Sequence, residues 1–412
     1  PPGRYRLLPF EFERLDERRV LLVNLVGEYI VVEARGFDAL REGRLDAGSA
    51  LYLDLKAKHF LFDSASSSPF ELLVAKYRTR RAWLEGFTRL HMFVVTLRCE
   101  HSCPYCQVSR VSADRNRYDM SSETARRALD LVFRSPADRI KIEFQGGEPL
   151  LAFERIVEIV DEAEARAVVF AKQVEFVVAT NLALVTDEML EFFRAHRVQI
   201  STSLDGPEAL HNANRPREGG DSYARTIEGI GHVREALGHG SVSALMTTTR
   251  ASLPHARAIV DEYAERGFGS VFLRQMSPFG FAARGRNGYG VDEFLRFYFE
   301  GLERVIELNH AGTPIVETYA AMILRRILTP FAIGYVDLQS PSGAGISAAA
   351  YNYDGSVYPS DEARMLAEMG DATFRLGSTD PALLAVVREV ARLGPPVSTH
   401  LAEAVAPLVD AA

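Results

Sequence analysis

The stretch HMFVVTLRCEHSCPYC, residues 91–106, joins an apolar run to a loop that contains every cysteine of the 412-residue chain. Residues 91–97 have the apolar and β-branched character of a buried strand. Cys99, Cys103 and Cys106 follow within eight residues. One cluster with an odd number of cysteines argues against a disulfide framework and favours the reducing cytoplasm. We therefore expect a cytoplasmic protein with a metal site directly after a strand.

Two kinds of metal site are compatible with these three thiols. Structural zinc takes four protein ligands, and His101 could supply the fourth only awkwardly from inside the loop. Iron–sulfur clusters more often take four cysteines, but three cysteines leave one iron of a 4Fe–4S cluster free to bind another molecule. The residues favour the cluster over zinc and leave both open.

Alternating strands and helices extend outward from this loop, from about residue 90 to residue 278. Short apolar runs are separated by segments with helical spacing of their apolar residues. Six successive βα units predict an α/β fold in which a parallel, right-handed sheet curves into a partial (β/α)6 TIM-like barrel. The predicted strands are residues 91–97, 139–145, 174–179, 198–204, 241–247 and 270–275.

Polar or glycine-rich residues follow four of these strands at their C-terminal ends. Besides the cysteine loop, they are residues 145–149 (QGGEP), 180–181 (TN) and 203–207 (SLDGP). Each could be an ordinary turn, because Gly, Asn and Ser are common turn residues. The loops at the C-terminal ends of barrel strands carry the chemistry of such folds, so the shared position favours a ligand site.

The spacing Cys99-x3-Cys103-x2-Cys106, with Tyr105 before the third cysteine, resembles the signature of the radical SAM (S-adenosylmethionine) superfamily. The resemblance implies that the three thiolates hold a 4Fe–4S cluster, whose open iron binds the amino and carboxylate groups of SAM. Gly146-Gly147-Glu148-Pro149 resembles the family motif that contacts the amino group of the methionine moiety.

Four more residues are candidates for the SAM site. By the same resemblance, Asn181 would shape the pocket and Ser203 would reach the ribose or carboxylate; turn formation is the alternative for both. Arg215 is a candidate carboxylate partner through its planar guanidinium, or equally a surface arginine. Met246 would border the adenine, although core packing is the better-supported alternative.

Residues 1–85 lack the strand–helix alternation and predict a small separate domain. β-rich runs at 6–12 and 20–32 precede helical stretches at 37–41 and 49–56. This region resembles the small winged-helix-like peptide-recognition domain of enzymes that modify ribosomally made peptides. In such domains a leader peptide adds a strand to the sheet edge. The alternative is that residues 1–85 are an extension that merely packs on the barrel. We expect the barrel itself to span residues 86–310.

Residues 311–412 predict a helical bridge, a β-hairpin and helices in the tail, 381–412. The hairpin signal is the alternation of Tyr and Val around Asp354-Gly355. It resembles the hairpin that opens the auxiliary-cluster (SPASM or twitch) domain of peptide-modifying radical SAM enzymes. Ser342 and Ser360 stand where that family commonly has cysteine, so we expect no auxiliary cluster.

Charge and hydropathy exclude other classes. With 47 basic and 55 acidic residues the net charge is −8, which disfavours nucleic acid as a partner. No apolar run approaches roughly 18 residues, so we expect no membrane span. The whole chain most resembles a radical SAM peptide maturase, closest to the His-Xaa-Ser-system maturases.

The resemblance implies reductive cleavage of SAM to a 5′-deoxyadenosyl radical, with the electron supplied by an external donor such as a flavodoxin or ferredoxin. The radical would activate a C–H bond of a precursor peptide, with a side-chain crosslink as the expected outcome. One alternative is a radical SAM enzyme that acts on a small metabolite or matures a folded enzyme. An alternative of another class is a zinc-binding interaction protein without catalysis.

Overall fold

A computed structural model describes residues 5–63, 67–108, 110–111, 114–285, 287–329, 331, 333–336 and 343–379. The described residues form two compact units. The first consists of residues up to 85 together with those of 324–333, and the second of residues 86–323 together with those from 334 onward. Ser342 and the predicted tail helices at 381–412 lie outside the described residues.

The first unit is a small α/β domain, as expected for the N-terminal region. Its three-stranded antiparallel sheet has the order β2-β3-β4, and β1 pairs with β5. Alternate residues of β3, Val20 and Leu22, are fully buried against Phe37, Leu55 and Phe60. The elements are β1 (Tyr5–Leu7), β2 (Phe10–Arg14), β3 (Arg19–Asn24), β4 (Tyr29–Glu33), α1 (Ala34–Arg41), α2 (Ala50–Ala57), β5 (Leu61–Asp63) and α3 (Ser68–Arg81).

The second unit is built on one eight-stranded sheet, with the order β10-β9-β8-β7-β6-β13-β14-β15. Its strands are β6 (Leu90–Thr96), β7 (Arg139–Gly146), β8 (Gln173–Thr180), β9 (Gln199–Ser203), β10 (Val242–Leu245), β13 (Ala348–Tyr351), β14 (Ser356–Tyr358) and β15 (Gly377–Ser378); β11 (Ser270–Val271) and β12 (Val316–Glu317) form a separate pair.

Helices follow the strands as the apolar spacing predicts. Ser121, for example, caps α5 by accepting a hydrogen bond from the Thr124 N–H. The helices are α4 (Arg115–Tyr118), α5 (Ser122–Val132), α6 (Phe153–Val169), α7 (Asp187–Ala195), α8 (Glu208–Asn214), α9 (Ser222–Leu237), α10 (Ala256–Glu265), α11 (Val291–His310), α12 (Thr318–Leu328) and α13 (Asp361–Glu368). Among the described helices, none has the length and apolarity that crossing a bilayer requires.

The first five predicted barrel strands pair in parallel and in sequence order, from β6 to β10. One face of this sheet is apolar: Phe93, Ile142, Phe144, Val178 and Ile200 belong to the main core. Side chains alternate between the two faces of a strand, so the residues between these apolar ones lie on the other face of the sheet. Parallel order and sequential crossovers place all five C-terminal strand ends on one edge.

The prediction of a sixth strand in the same sheet is wrong for the described residues. Residues 270–275 supply only the two-residue β11, which pairs with β12 and not with β10. One backbone hydrogen bond, from Thr248 N to Arg274 O (2.9 Å), links this segment to the end of the fifth strand. The buried side chain of Glu317, on β12, instead accepts a hydrogen bond from the Leu273 N–H (3.2 Å). A residue of β12 therefore satisfies a backbone donor that a neighbouring strand of the barrel would otherwise satisfy.

The opposite edge of the sheet is extended by the C-terminal hairpin. β13 and β14 form the antiparallel hairpin that Asp354-Gly355 predicts, with Gly355 at φ +84°. β13 also pairs in parallel with β6, with Tyr351 beside Phe93. Ser360 accepts a hydrogen bond from the Ala363 N–H (3.2 Å) and so caps α13.

Candidate active site

The cysteine loop begins at an ion pair that holds its first residues. Arg98 donates to both carboxylate oxygens of Asp119, from Nε at 2.7 Å and from Nη2 at 2.6 Å. Its Nη2 also donates to the carbonyl oxygen of Leu151 at 2.7 Å. A two-point contact of this kind fixes the orientation of the guanidinium. The backbone that leads into Cys99 is therefore tied to two other segments of the barrel rim.

Gly146 and Gly147 bring the end of β7 against the start of this loop. The Gly147 N–H donates to Thr96 O (2.9 Å), and the Glu148 N–H donates to Arg98 O (2.7 Å). A Cβ atom at Gly146 would lie 2.2 Å from Thr96 O, and one at Gly147 would lie 2.2 Å from Arg98 O. Both positions thus require glycine, because backbone atoms of the loop entrance occupy the space of a side chain.

The Glu148 carboxylate is 1% exposed and faces inward. Its Oε1 accepts from Thr180 Oγ1 (2.6 Å) and from Leu150 N (3.0 Å), and its Oε2 accepts from Asn181 N (2.8 Å). Burial raises the pKa of Glu148 to about 8, and the negative charge of Glu100 contributes to the rise. Glu148 therefore joins the QGGEP segment to the end of β8.

Asn181 connects the end of β8 to the cysteine loop. Its Nδ2 donates to Glu100 Oε1 at 2.7 Å, and its Oδ1 accepts from Ala183 N at 2.9 Å. Burial opposes the ionisation of Glu100, but hydrogen bonds from His101 and Asn181 outweigh it and lower the pKa of Glu100. The structure thus brings Asn181 and Glu148 together beside Cys99.

A buried chain of hydrogen bonds holds the middle of the loop. His211 Nδ1 accepts the Asp205 N–H (3.3 Å), so His211 Nε2 carries the proton and donates to Ser222 Oγ (3.1 Å). Ser222 Oγ also hydrogen-bonds to His101 Nε2 (2.7 Å), and His101 Nδ1 lies 3.0 Å from Glu100 Oε1 and 2.9 Å from Asn181 Nδ2. Burial lowers the pKa of His211 to about 3, which agrees with a neutral ring.

The end of the loop is fixed by Asp205, a fully buried carboxylate after β9. It accepts from Tyr105 Oη (2.6 Å), from Arg215 Nε and Nη2 (3.0 and 3.2 Å) and from Thr247 N (3.1 Å). Burial favours protonation, but the Arg215 charge and the hydrogen bonds from Tyr105 and Arg215 together outweigh it and lower the pKa of Asp205. The Arg215 guanidinium also lies over the Tyr105 ring, 5.5 Å from its centre. The predicted carboxylate partner Arg215 thus binds a carboxylate of its own chain.

The three cysteines are free thiols of intermediate exposure on this braced loop. Burial raises the pKa of Cys99, as do the charges of Glu100 and Glu148. Burial also raises the pKa of Cys103 to about 12, with Arg215 opposing the rise and Cys106 adding to it. Thiols in such an environment become thiolates when a metal cation binds them.

The remaining predicted residues lie in three different settings. Pro149 is buried at the start of a 3-10 turn over residues 149–152. Ser203 is half-buried at the C-terminal end of β9, on the same edge as the cysteine loop. Met246 is 1% exposed within the main core, so its side chain packs against other apolar residues.

The donor set fits an iron–sulfur cluster better than zinc. Three thiols share one loop at the edge where the strands end, and the network described above fixes both ends of that loop. Donor atoms of Cys99, Glu100 and His101 also lie within 4.8 Å of one another. Both ring nitrogens of His101 are engaged, however, by Glu100 and Ser222. A zinc ion would have to displace one of these hydrogen bonds.

Sequence reasoning considered His101 only as an awkward fourth zinc ligand, did not assign Ser222 or His211 to the site, and gave Asp205 no definite role. Asp205 was visible as part of the polar cluster after the fourth strand. His211 and Ser222 carried no signal, because they lie on helices away from the strand ends and reach the loop only through folding.

Comparison with known proteins shows which family part of this barrel resembles. Residues 93–251 match the sequence model of the radical SAM superfamily. An uncharacterized protein of Methanothermobacter thermautotrophicus is 32% identical over 178 residues, which cover 43% of this chain and 63% of that protein. The chain therefore spans less than two thirds of the length of this relative.

Two solved structures share the fold over larger parts of the chain. Native anSMEcpe with bound AdoMet and Kp18Cys peptide covers 71% of this chain and 78% of its own, with 18% identity and a TM-score of 0.59. Streptococcus suis SuiB bound to the precursor peptide SuiA covers 93% and 88%, with 14% identity and a TM-score of 0.52. At these identities the likeness concerns the fold alone.

Proposed function

We propose that this chain is a radical SAM enzyme that modifies a ribosomally synthesised peptide by activating a C–H bond, with a side-chain crosslink as the product. The observation that carries the proposal is the braced cysteine loop at the C-terminal edge of the sheet, inside a segment that matches the superfamily model. Within the same proposal we place the chain nearest the His-Xaa-Ser-system maturases.

In this proposal Cys99, Cys103 and Cys106 would hold a 4Fe–4S cluster, and SAM would bind at the same edge of the sheet. When bound, cluster and cosubstrate supply a 5′-deoxyadenosyl radical that removes a hydrogen atom from the peptide. The backbone of Gly146 and Gly147, together with Asn181 and Ser203, is available on this edge to orient SAM.

Two buried ionisable side chains, Glu148 and Arg215, position these groups through other residues. Glu148 acts through Asn181, because the hydrogen bonds of its carboxylate are already satisfied within the chain. Arg215 acts through Asp205 and Tyr105 on the loop between Cys103 and Cys106. One electron would enter from an external donor such as a flavodoxin or ferredoxin. Closing a crosslink would release one electron, to the cluster or to an outside acceptor, and one proton, to solvent.

The N-terminal unit supports a peptide as the substrate. Its sheet β2-β3-β4 has two edge strands that pair only with β3 among the described strands. On these strands Phe12, Tyr29 and Val31 are about half exposed. An extended leader peptide can add a strand to such an edge and place side chains on exposed apolar residues. The solved SuiB structure holds a precursor peptide, which agrees with this role.

Oxygen-free reconstitution followed by metal analysis tests the proposal. We expect about four irons and four sulfides per chain, and cleavage of SAM to methionine and 5′-deoxyadenosine. Cys103→Ala should abolish both, whereas Ser102→Ala, a change of an exposed side chain in the same loop, should leave both unchanged. One bound zinc without SAM cleavage would refute the proposal in favour of an interaction protein.

Removing residues 1–85 separates a peptide substrate from a small metabolite. The shortened chain should retain its iron and its uncoupled SAM cleavage but lose turnover of the precursor peptide. Full activity on the natural substrate without these residues would instead support a small metabolite or a folded enzyme as the substrate.

A further inference from the structure

The C-terminal hairpin region contains a buried guanidinium with unused donors. Arg364, on α13, is 1% exposed and is among the largest fully buried side chains of the described chain. Its Nε donates to Asp361 Oδ1 at 2.8 Å. Its Nη1 and Nη2 have no hydrogen-bond partner among the residues that the structure describes. Burying such donors without acceptors is costly, so the position needs an explanation.

A buried acceptor without a partner lies in the same region. Asn352, which follows β13, is 1% exposed, and within the described chain its Oδ1 accepts no hydrogen bond. Its Nδ2 donates to Asp354 Oδ1 (3.1 Å) and to Glu368 Oε1 (3.3 Å). Glu368 is also a neighbour of Arg364, whose charge partly offsets the burial that raises the pKa of Glu368. The unused donors of Arg364 and the unused acceptor of Asn352 therefore lie on either side of the Glu368 carboxyl group.

These groups lie on the same edge of the sheet as the cysteine loop. β13 runs parallel to β6, so Asn352 leaves its strand at the end where β6 leads to Cys99. α13 packs on this part of the sheet through Ala363, which belongs to a cluster with Met92. After α13, Met369 Sδ accepts the Gly280 N–H (3.2 Å), and the neighbouring Phe281 N–H donates to Cys106 O (2.8 Å).

The surrounding charge defines the chemistry of the missing partner. Arg364 pairs with Asp361 and acts on Glu368, and Asn352 joins Glu368 to Asp354, so three carboxyl groups already belong to this cluster. Another carboxylate or a phosphate would meet more repulsion than attraction. An uncharged carbonyl oxygen would satisfy guanidinium donors without adding charge. A peptide unit offers that oxygen together with an N–H for the acceptor.

We propose that Arg364 and Asn352 bind the main chain of a peptide, the guanidinium donating to a carbonyl oxygen and Asn352 Oδ1 accepting an amide N–H. This inference rests on the proposed function and gives its peptide a binding point on the side of the hairpin. Both side chains are enclosed in the peptide-free chain, so binding must displace the groups that cover them.

A stability measurement tests the guanidinium without any ligand. Replacing a buried, incompletely paired arginine with an apolar side chain of similar length removes an unmet polar group. Arg364→Met also removes the ion pair to Asp361, so it should lower the melting temperature clearly less than Arg98→Met does. Arg98→Met is the matched control and should lower it, because Arg98 has its acceptors. If Arg364→Met lowers the melting temperature as much as Arg98→Met does, the guanidinium is structural and the inference fails.

A binding measurement tests the chemical class. The probe is N-acetyl-triglycine N-methylamide, which offers peptide units and no charge, with sodium acetate as the anionic comparison. Nitrogen-15 spectra of arginine side chains, with the Arg364 signals assigned through Arg364→Met, should shift with the probe and not with acetate. Asn352→Ala should weaken the response at least threefold. A response to acetate alone, or no response to either compound, would overturn the proposal.

Neither measurement needs iron or SAM, so its outcome is independent of the test of the proposed function. A chain that loads four irons and cleaves SAM but fails both measurements keeps its function and loses this binding site. A chain that passes both measurements but holds no iron keeps a peptide site and loses the proposed chemistry.

Discussion

Replacing Asp205 with Asn should damage the site more than any other single change of charge. The carboxylate is fully buried, and four donor atoms from Tyr105, Arg215 and Thr247 converge on it. An asparagine keeps the size but turns an NH2 group towards some of these donors. It also leaves the Arg215 charge without its partner in a nearly buried position.

The magnitude follows from the cost of an unpaired buried charge. Removing one partner of a buried ion pair typically costs about 3–5 kcal/mol. We therefore expect Asp205→Asn to lower the free energy of unfolding of the metal-free chain by about this amount. Since Tyr105 lies between Cys103 and Cys106, the variant should also bind less iron after reconstitution.

Urea unfolding followed by circular dichroism, together with iron analysis, provides the assay. Asp221→Asn is the matched control, because Asp221 also pairs with arginines, Arg217 and Arg225, but at a much more exposed position than Asp205. This control should leave the unfolding midpoint and the iron content unchanged. If Asp205→Asn unfolds at the midpoint of the native chain, or if the two variants lose equal stability, the reasoning about the buried pair is refuted.

Three further predictions concern packing, hydrogen bonding and pH. Gly147→Ala should lower the free energy of unfolding by about 1–3 kcal/mol and reduce iron loading, because its Cβ would lie 2.2 Å from a backbone oxygen. Urea titration checks this, and Gly231→Ala, in open space on α9, should cause no loss; equal losses would contradict the clash. Tyr105→Phe removes one hydrogen bond to a carboxylate and should cost about 1.5–3 kcal/mol by the same titration; an unchanged midpoint would show that the hydroxyl contributes nothing. Burial lowers the pKa of His91 to about 3, from the 6.5 of an unperturbed histidine. Between these pH values the histidine is therefore protonated in the unfolded chain and neutral in the folded chain. The free energy of unfolding should therefore decrease as the pH is lowered from 6.5 towards 3, by up to about 1.4 kcal/mol per pH unit for this histidine. His91→Gln should flatten the dependence measured between pH 7 and pH 5 relative to the native chain, and an identical slope would rule out this contribution.

The sequence alone determined the features that depend on local pattern. Short apolar runs specified β6 to β10, and the helical spacing of apolar residues specified their helices, since both patterns are properties of a few consecutive residues. The cysteine spacing and the polar residues after each strand located the site on one edge, because parallel strands in sequence order bring those ends together. Asp354-Gly355 likewise specified its hairpin, because the turn needs a residue that accepts positive φ.

Only the tertiary structure decided which distant segments and charges meet. β13 pairs with β6, and β11 pairs with β12. The sequence pattern of a strand does not identify its neighbour in the sheet, because backbone hydrogen bonds form between any two suitable strands. The partners of the Glu148 and Asp205 carboxylates are likewise not identified by the sequence. A carboxylate at a strand end has the same sequence signal whether water or a buried donor satisfies it. Burial makes the choice, because a carboxylate removed from water must find its partners within the chain.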